Sequence, residues 1–196
     1  MPIEECAPVE YYNKMFRADA NHCRTPAFVE RNKALLKLIK SEKFTHIFEF
    51  ACASGLLAEM FCELHPECHE YFATDFSSEA IGLARRYTTN YSSINALVSD
   101  ITKTYPNFDW PAYDLVVSTS LEHLPKGCDL DIIKNIEPGT SVLFSLTTFS
   151  LPDSASHPHP YPSDTYIYDR FKEHIDIKKL VYYEPLKVFL LYGVKT

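Results

Sequence analysis

The sequence predicts one α/β domain: a seven-stranded, mostly parallel sheet with helices on both faces and an antiparallel hairpin strand at its C-terminal end. Three observations carry this. Apolar runs of strand length alternate with helical segments, the pattern of βαβ crossovers. The last apolar run, "LVYYEPLKVFLLYGV", is split by Glu184-Pro185 into two β-rich halves that suit an antiparallel pair. At 196 residues, 46% of them apolar, the chain can bury one full core but not two.

Taken in order, "PVEYYNKMFRADANHC" carries Tyr11, Tyr12 and Phe16 and has room for one or two helical turns. "TPAFVERNKALLKLIKSE" opens with Thr25 as an N-cap before Pro26, and Phe28, Val29, Leu35, Leu36 and Ile39 fall mostly on one face of a helix of about four turns. Residues 1–44 thus form a helical lid or cap, and residues 45–196 form the sheet-bearing body of the same domain. "THIFEFA" reads as a buried strand and "SGLLAEMFCELH" as a helix ended by Pro66. "EYFATD" is a second strand, "SSEAIGLARRYT" a helix with a serine cap, "INALVSD" a third strand and "YDLVVSTS" a fourth. "DLDIIKNI" is a short helix, and "TSVLFSLTTF" a fifth strand after the Pro138-Gly139 turn. The proline- and serine-rich "SLPDSASHPHPYPSDTY" that follows reads as a long loop, a candidate lid or substrate wall.

Charge and cysteine usage narrow the function. A formal charge of −7 gives no electrostatic grip on a phosphate backbone, so nucleic acid is disfavoured. The six cysteines form no dense disulfide framework and read as reduced thiols of a cytoplasmic protein. No apolar run approaches the length of a membrane span, and no basic-then-apolar leader is present. Cys62, His65, Cys68 and His69 are zinc-like ligand types, but they crowd one helix end broken by Pro66; core packing and a helix terminus account for them.

Open parallel sheets bind ligands beyond the carboxyl ends of their strands. Glu49, Asp75, Asp100 and the segment Ser118 to His123 all fall at such ends. Asp75 follows Gly55 by 20 residues, a spacing suited to a carboxylate on a ribose; its alternative role is to cap the next helix. Asp100 suits an adenine amino group, with the amide of Ile101 reaching a ring nitrogen. Glu49, near the end of a buried strand, needs a donor, water or a cationic ligand. The turn "ACASG" keeps only Gly55, so it is not a pyrophosphate-binding G-x-G-x-x-G, and no G-K-[ST] occurs anywhere.

These blocks together resemble the class I S-adenosylmethionine-dependent methyltransferases. "EFACASG" matches the first-strand signature at Glu49 and Gly55 but has Ala51 and Ala53 at glycine positions. "YFATDFSSEAIGLAR", "VSDI" and "YDLVVSTSLEHLP" resemble the second, third and fourth blocks. The resemblance implies a Rossmann-like methyltransferase fold with S-adenosylmethionine as cofactor. It implies cofactor contacts at Glu49, Ala51, Ala53, Gly55, Asp75, Phe76, Asp100, Ile101 and Ser118. It places Ser118 to His123 beside the transfer site, with His123 as candidate base and Glu122 beside it.

Tyr11, Tyr12, Phe16, His157, His159 and Tyr161 are candidate acceptor contacts, with Tyr166 and Tyr168 as further aromatics. Glu122, His123, His157 and His159 together resemble the metal site of RNA 3'-terminal 2'-O-methyltransferases, although Thr119 stands where that pattern has a second carboxylate. No resident metal is assigned. The expected reaction is methyl transfer to a small-molecule acceptor at oxygen, as in methyltransferases with an LEH loop; the oligomeric state stays open. Alternatives are an RNA 3'-end or cap 2'-O-methyltransferase and an inactive regulatory protein of the same fold.

Overall fold

The computed structural model describes residues 6–104, 112–148 and 159–196. Two helices lead in: α1 (Val9–Ala18), nearly three turns where one or two are expected, and α2 (Pro26–Lys37), slightly over three. Thr25 holds the N-cap position of α2 with extended backbone, but its side chain makes no capping bond; Pro26 supplies the helical start. The sheet-bearing part runs β1 (His46–Phe50), α3 (Leu56–Leu64), β2 (Glu70–Asp75), α4 (Ser78–Tyr87), β3 (Ile94–Val98) and the one-turn α5 (Ile101–Thr104). It continues with β4 (Leu115–Ser118), α6 (Cys128–Asn135), β5 (Ser141–Thr147), α7 (Asp164–Phe171), β6 (Ile175–Tyr183) and β7 (Val188–Lys195).

The seven strands lie in the order β3-β2-β1-β4-β5-β7-β6. Pairings among the first five are parallel, and β7 inserts antiparallel between β5 and β6, from Ser141↔Val194 to Thr147↔Val188. This is the sheet expected from sequence. Strand order reverses at β1 and β4, so the crevice between their carboxyl ends is where a ligand site opens.

Both faces of the sheet are covered, which is why its strands read as unbroken apolar runs. Alternate side chains feed two cores: Ile47, Tyr71, Val117 and Leu143 pack with Leu35, Leu36 and Phe61 of α2 and α3. Phe48, Val116, Val142 and Phe144 pack with Ile132 of α6 and Ile167 and Phe171 of α7. Helix α7 replaces the end of the expected long loop. Ser163 caps it, accepting a bond from the Tyr166 amide at 3.1 Å, and Ile167 and Phe171 bury one face; residues 149–158 of that loop lie outside the described residues.

All six cysteines are free thiols. Around Cys62 and Cys68 no zinc site forms: His65 stacks on Phe61 at 4.5 Å and bonds Glu67. Among the described residues no three His, Cys, Asp or Glu side chains are placed to hold a metal, and no helix is long and apolar enough to cross a membrane.

Candidate functional site

The β1–α3 turn builds the floor of the site. Ala51 and Ala53 have φ of 56° and 49°, and Gly55 has 73°, so left-handed backbone recurs at alternate residues. The glycine geometry expected here is therefore retained by two alanines, at a cost of about 1–2 kcal/mol per residue for the crowded Cβ. Gly55 itself lets two helices approach: a Cβ there would lie 3.1 Å from that of Ala84 in α4. Ala53→Gly is expected to raise the melting temperature by about 2–4 °C, since relief of the left-handed strain exceeds the unfolded-state entropy of glycine by up to about 1 kcal/mol. Calorimetric melting checks this; an unchanged or lower transition would mean that the turn carries no such strain.

Asp75, at the end of β2, is buried and clamps this turn. Its Oδ2 accepts the Ala53 amide at 3.0 Å and its Oδ1 the Ser77 amide at 2.9 Å. Ser77, not Asp75, caps α4, accepting the Ala80 amide at 3.1 Å. Burial pushes the Asp75 carboxyl up to about 6, against the lowering effect of these backbone amides. Glu49 on β1 is 1% exposed and accepts the Tyr71 hydroxyl at 3.0 Å. Burial pushes its carboxyl up to about 8, with the Tyr71 bond and the Arg31 charge pulling it down.

Helix α1 closes over these groups. The Ser77 hydroxyl donates to Asn13 at 2.7 Å, and Arg17 pairs with Glu79 of α4 at 2.8 Å. Tyr12 packs on Phe76 at 5.1 Å between centroids, and its hydroxyl lies 3.1 Å from His123 Nδ1. His123 ends a one-turn 3-10 helix, Leu121–His123. Its Nε2 is 4.0 Å from Glu122 Oε1, and the buried Glu122 accepts the Thr147 hydroxyl at 2.8 Å.

The result is a cavity of about 390 Å³ beyond the ends of β1 and β4. Glu49, Ala51, Ala53, Asp75 and Phe76 line it from the cofactor side of the sequence reading, and Tyr11, Tyr12, Phe16, Glu122 and His123 from the acceptor side. Other expected residues lie elsewhere. Gly55 shapes the turn without lining the cavity, and Ser118 is buried beneath it, accepting the Ser120 amide at 3.3 Å.

Asp100 and Ile101 are not in its wall either. The Asp100 carboxylate turns back on its own helix, to the amide and hydroxyl of Thr102 (3.1 and 2.6 Å) and to Lys103 (2.7 Å), and Ile101 is buried in the core. His159 and Tyr161 line a separate cavity of about 300 Å³ with Lys126, Tyr166 and Arg170. Tyr161 is drawn there by Asp129, which accepts its hydroxyl at 2.8 Å and two bonds from Arg170 at 2.6 Å each. Tyr168 is 52% exposed and lines neither cavity, and His157 lies outside the described residues. His159 therefore does not join Glu122 and His123 as the metal pattern requires.

Sequence reasoning missed Arg31, Asn32 and Ser54 in the cavity wall. Arg31 donates from Nε and a terminal nitrogen to Asn32 Oδ1 at 3.1 and 3.0 Å, and its guanidinium lies 4.9 Å from the Phe28 ring. A signal was present: Phe28, Arg31, Asn32 and Leu35 share the buried stripe of α2, and a cation inside an apolar stripe needs a reason. The Ser54 hydroxyl is buried in the wall and has no hydrogen-bond partner among the described residues.

Residues 47–137 match the family model described as a methyltransferase domain. The N-methyltransferase NodS from Bradyrhizobium japonicum WM9, in complex with S-adenosyl-L-homocysteine, aligns with a TM-score of 0.73 at 21% identity, covering 97% of this chain and 99% of that one. A SAM-dependent methyltransferase from Aquifex aeolicus aligns at 0.70 with 12% identity over 97% and 100%. DhpI in its SAH complex aligns at 0.71 with 19% identity over 95% and 93%. At these identities the structural likeness establishes the fold. No curated protein matches the chain. The match of residues 47–137 to a methyltransferase domain supports a methyltransferase, and the strand order is that of the Rossmann-like methyltransferase fold. NodS and DhpI are both described as complexes with S-adenosylhomocysteine.

Proposed function

We propose that the protein methylates a small-molecule acceptor at oxygen, and that residues 1–44 act as a helical lid over the cofactor-binding body, residues 45–196. The carrying observation is one cavity, at the point where strand order reverses, whose wall carries Asp75, Glu49 and His123 together. Its residues fit the cofactor. Asp75 offers carboxylate oxygens to the ribose hydroxyls, protonated Glu49 ionises to meet the ligand's ammonium, and Arg31 meets its carboxylate. The unpartnered Ser54 hydroxyl adds a polar group for the ligand. When bound, S-adenosylmethionine supplies an electrophilic methyl group; the protein's task is to orient the acceptor, exclude water and remove a proton.

A small acceptor suits the aromatic part of the wall formed by Tyr11, Tyr12 and Phe16. An RNA acceptor has less support: the chain is acidic, and His159 of the metal pattern faces another cavity. Six free thiols suit a reducing, cytoplasmic compartment. Calorimetric titration with S-adenosylhomocysteine is expected to show saturable binding. A labelled-methyl assay over hydroxylated and amino metabolites then identifies the acceptor. No heat with either adenosyl ligand would overturn the proposal, and transfer only to amines would move the acceptor atom to nitrogen.

A further inference from the structure

The groups around His123 form an ordered chain. Thr147 donates to Glu122 Oε1, which is also the carboxylate oxygen 4.0 Å from His123 Nε2, while the Tyr12 hydroxyl sits 3.1 Å from Nδ1. A carboxylate on the Nε2 side favours the neutral tautomer with its proton on Nε2 and its lone pair on Nδ1. Tyr12 then has to be the donor in its bond to Nδ1. Burial raises the Tyr12 phenol above its usual range, so the hydroxyl keeps its proton and serves as that donor. Donation uses the Tyr12 hydrogen but leaves oxygen lone pairs for a donor arriving in the cavity that Tyr12 lines.

From this arrangement we infer that Tyr12 relays to His123 the proton of the acceptor, which enters as a hydrogen-bond donor to Tyr12 Oη. The inference rests on the methyltransferase reading above and adds to it the proton route. In the step, the acceptor loses its proton and gains a methyl group, which bound S-adenosylmethionine would supply by breaking its sulfonium S–CH3 bond. That proton passes to Tyr12 Oη as the Tyr12 proton passes to His123 Nδ1, so phenolate does not accumulate. The positive charge lost from the sulfonium reappears on the imidazolium, whose Nε2–H faces Glu122. The imidazolium returns its proton to solvent after turnover.

The geometry also couples the relay to closure of α1. Tyr12 lies one residue from Asn13, which the Ser77 hydroxyl holds at 2.7 Å, and Ser77 in turn donates its amide to Asp75. The base is thus engaged when α1 is seated against the cofactor-binding turn.

The test is the tautomer of His123, read from long-range proton–nitrogen spectra of histidine-labelled protein with S-adenosylhomocysteine added, and assigned with His123→Gln. Wild-type protein is expected to carry the proton on Nε2. Tyr12→Phe, which keeps the ring on Phe76, is expected to lower the Nε2–H to Nδ1–H ratio about tenfold, the value of one hydrogen bond. A mainly Nδ1–H imidazole in wild-type protein would overturn the relay, and this reading needs no variant to fold. Identical spectra for wild type and Tyr12→Phe would overturn it too, because a hydroxyl that only packs leaves the tautomer unmoved. Failure of S-adenosylhomocysteine to bind would instead count against the proposed function, while the tautomer is still read on the ligand-free protein.

Discussion

Asp75→Ala is expected to weaken S-adenosylhomocysteine binding by at least about 100-fold, with some loss of fold stability. Two charge-assisted bonds to ribose hydroxyls are worth about 1.5–3 kcal/mol each, which sets the lower bound on the loss. The stability term has a different origin. Removing the carboxylate strands the Ala53 and Ser77 amides, each bonded to it now at 3.0 and 2.9 Å, and a buried unsatisfied amide costs about 1–3 kcal/mol. The two effects separate if calorimetric titration is run well below the variant's melting transition, with circular dichroism confirming the fold. The wild-type carboxyl, pushed up to about 6, adds a pH signature: affinity falls as pH drops through that value, because protonation removes acceptor capacity from the carboxylate. A folded Asp75→Ala protein that binds within about threefold of wild type would reduce Asp75 to a clamp on the turn.

The sequence exposed the sheet well because burial on both faces leaves unmistakable apolar runs, and the carboxylates Glu49 and Asp75 stand out at their ends. It also located the β1–α3 turn, but its geometry was hidden. Alanine disfavours positive φ, so Ala51 and Ala53 looked like departures from the glycine pattern, whereas Ala53 is held in that conformation by the Asp75 bond to its amide. The region after β5 was legible least. Proline and serine before residue 163 read as a continuous loop, yet Ser163 with Ile167 and Phe171 at helical spacing starts α7. Nothing local reveals that Arg170 and Tyr161 both bond Asp129, and that tertiary contact is what places Tyr161 in a cavity other than the one His123 lines. Asp100 is bonded by its immediate neighbours, Thr102 and Lys103, partners that its position at a strand end does not reveal. Arg31 is masked in the sequence by the apolar residues that define the α2 stripe.

Glu49 gives the second large effect. Its carboxyl is pushed up to about 8 by burial, so near neutral pH the ligand-free protein holds it mostly protonated. A ligand ammonium placed against it favours the ionised form, and binding at pH 7 is expected to release about one proton. Calorimetry in two buffers of different ionisation enthalpy counts that proton directly; the release should vanish above about pH 9 and in Glu49→Gln. The same variant should lose roughly 100-fold or more in affinity, since it leaves the ammonium facing a neutral amide in a dry site. The folded protein, ligand-free, shows the linkage with a definite sign. An unfolded glutamate loses its proton near 4.5 while the folded one holds it to about 8. Through that window the native state binds more protons, so stability falls as pH rises from about 4.5 to 8, by a few kcal/mol in all. Glu49→Gln removes this slope, so above pH 8 the ligand-free variant should melt higher than wild type although it binds the cofactor worse. A wild-type protein that takes up S-adenosylhomocysteine without proton release at pH 7 would show that Glu49 is already ionised, or that the ammonium lies elsewhere.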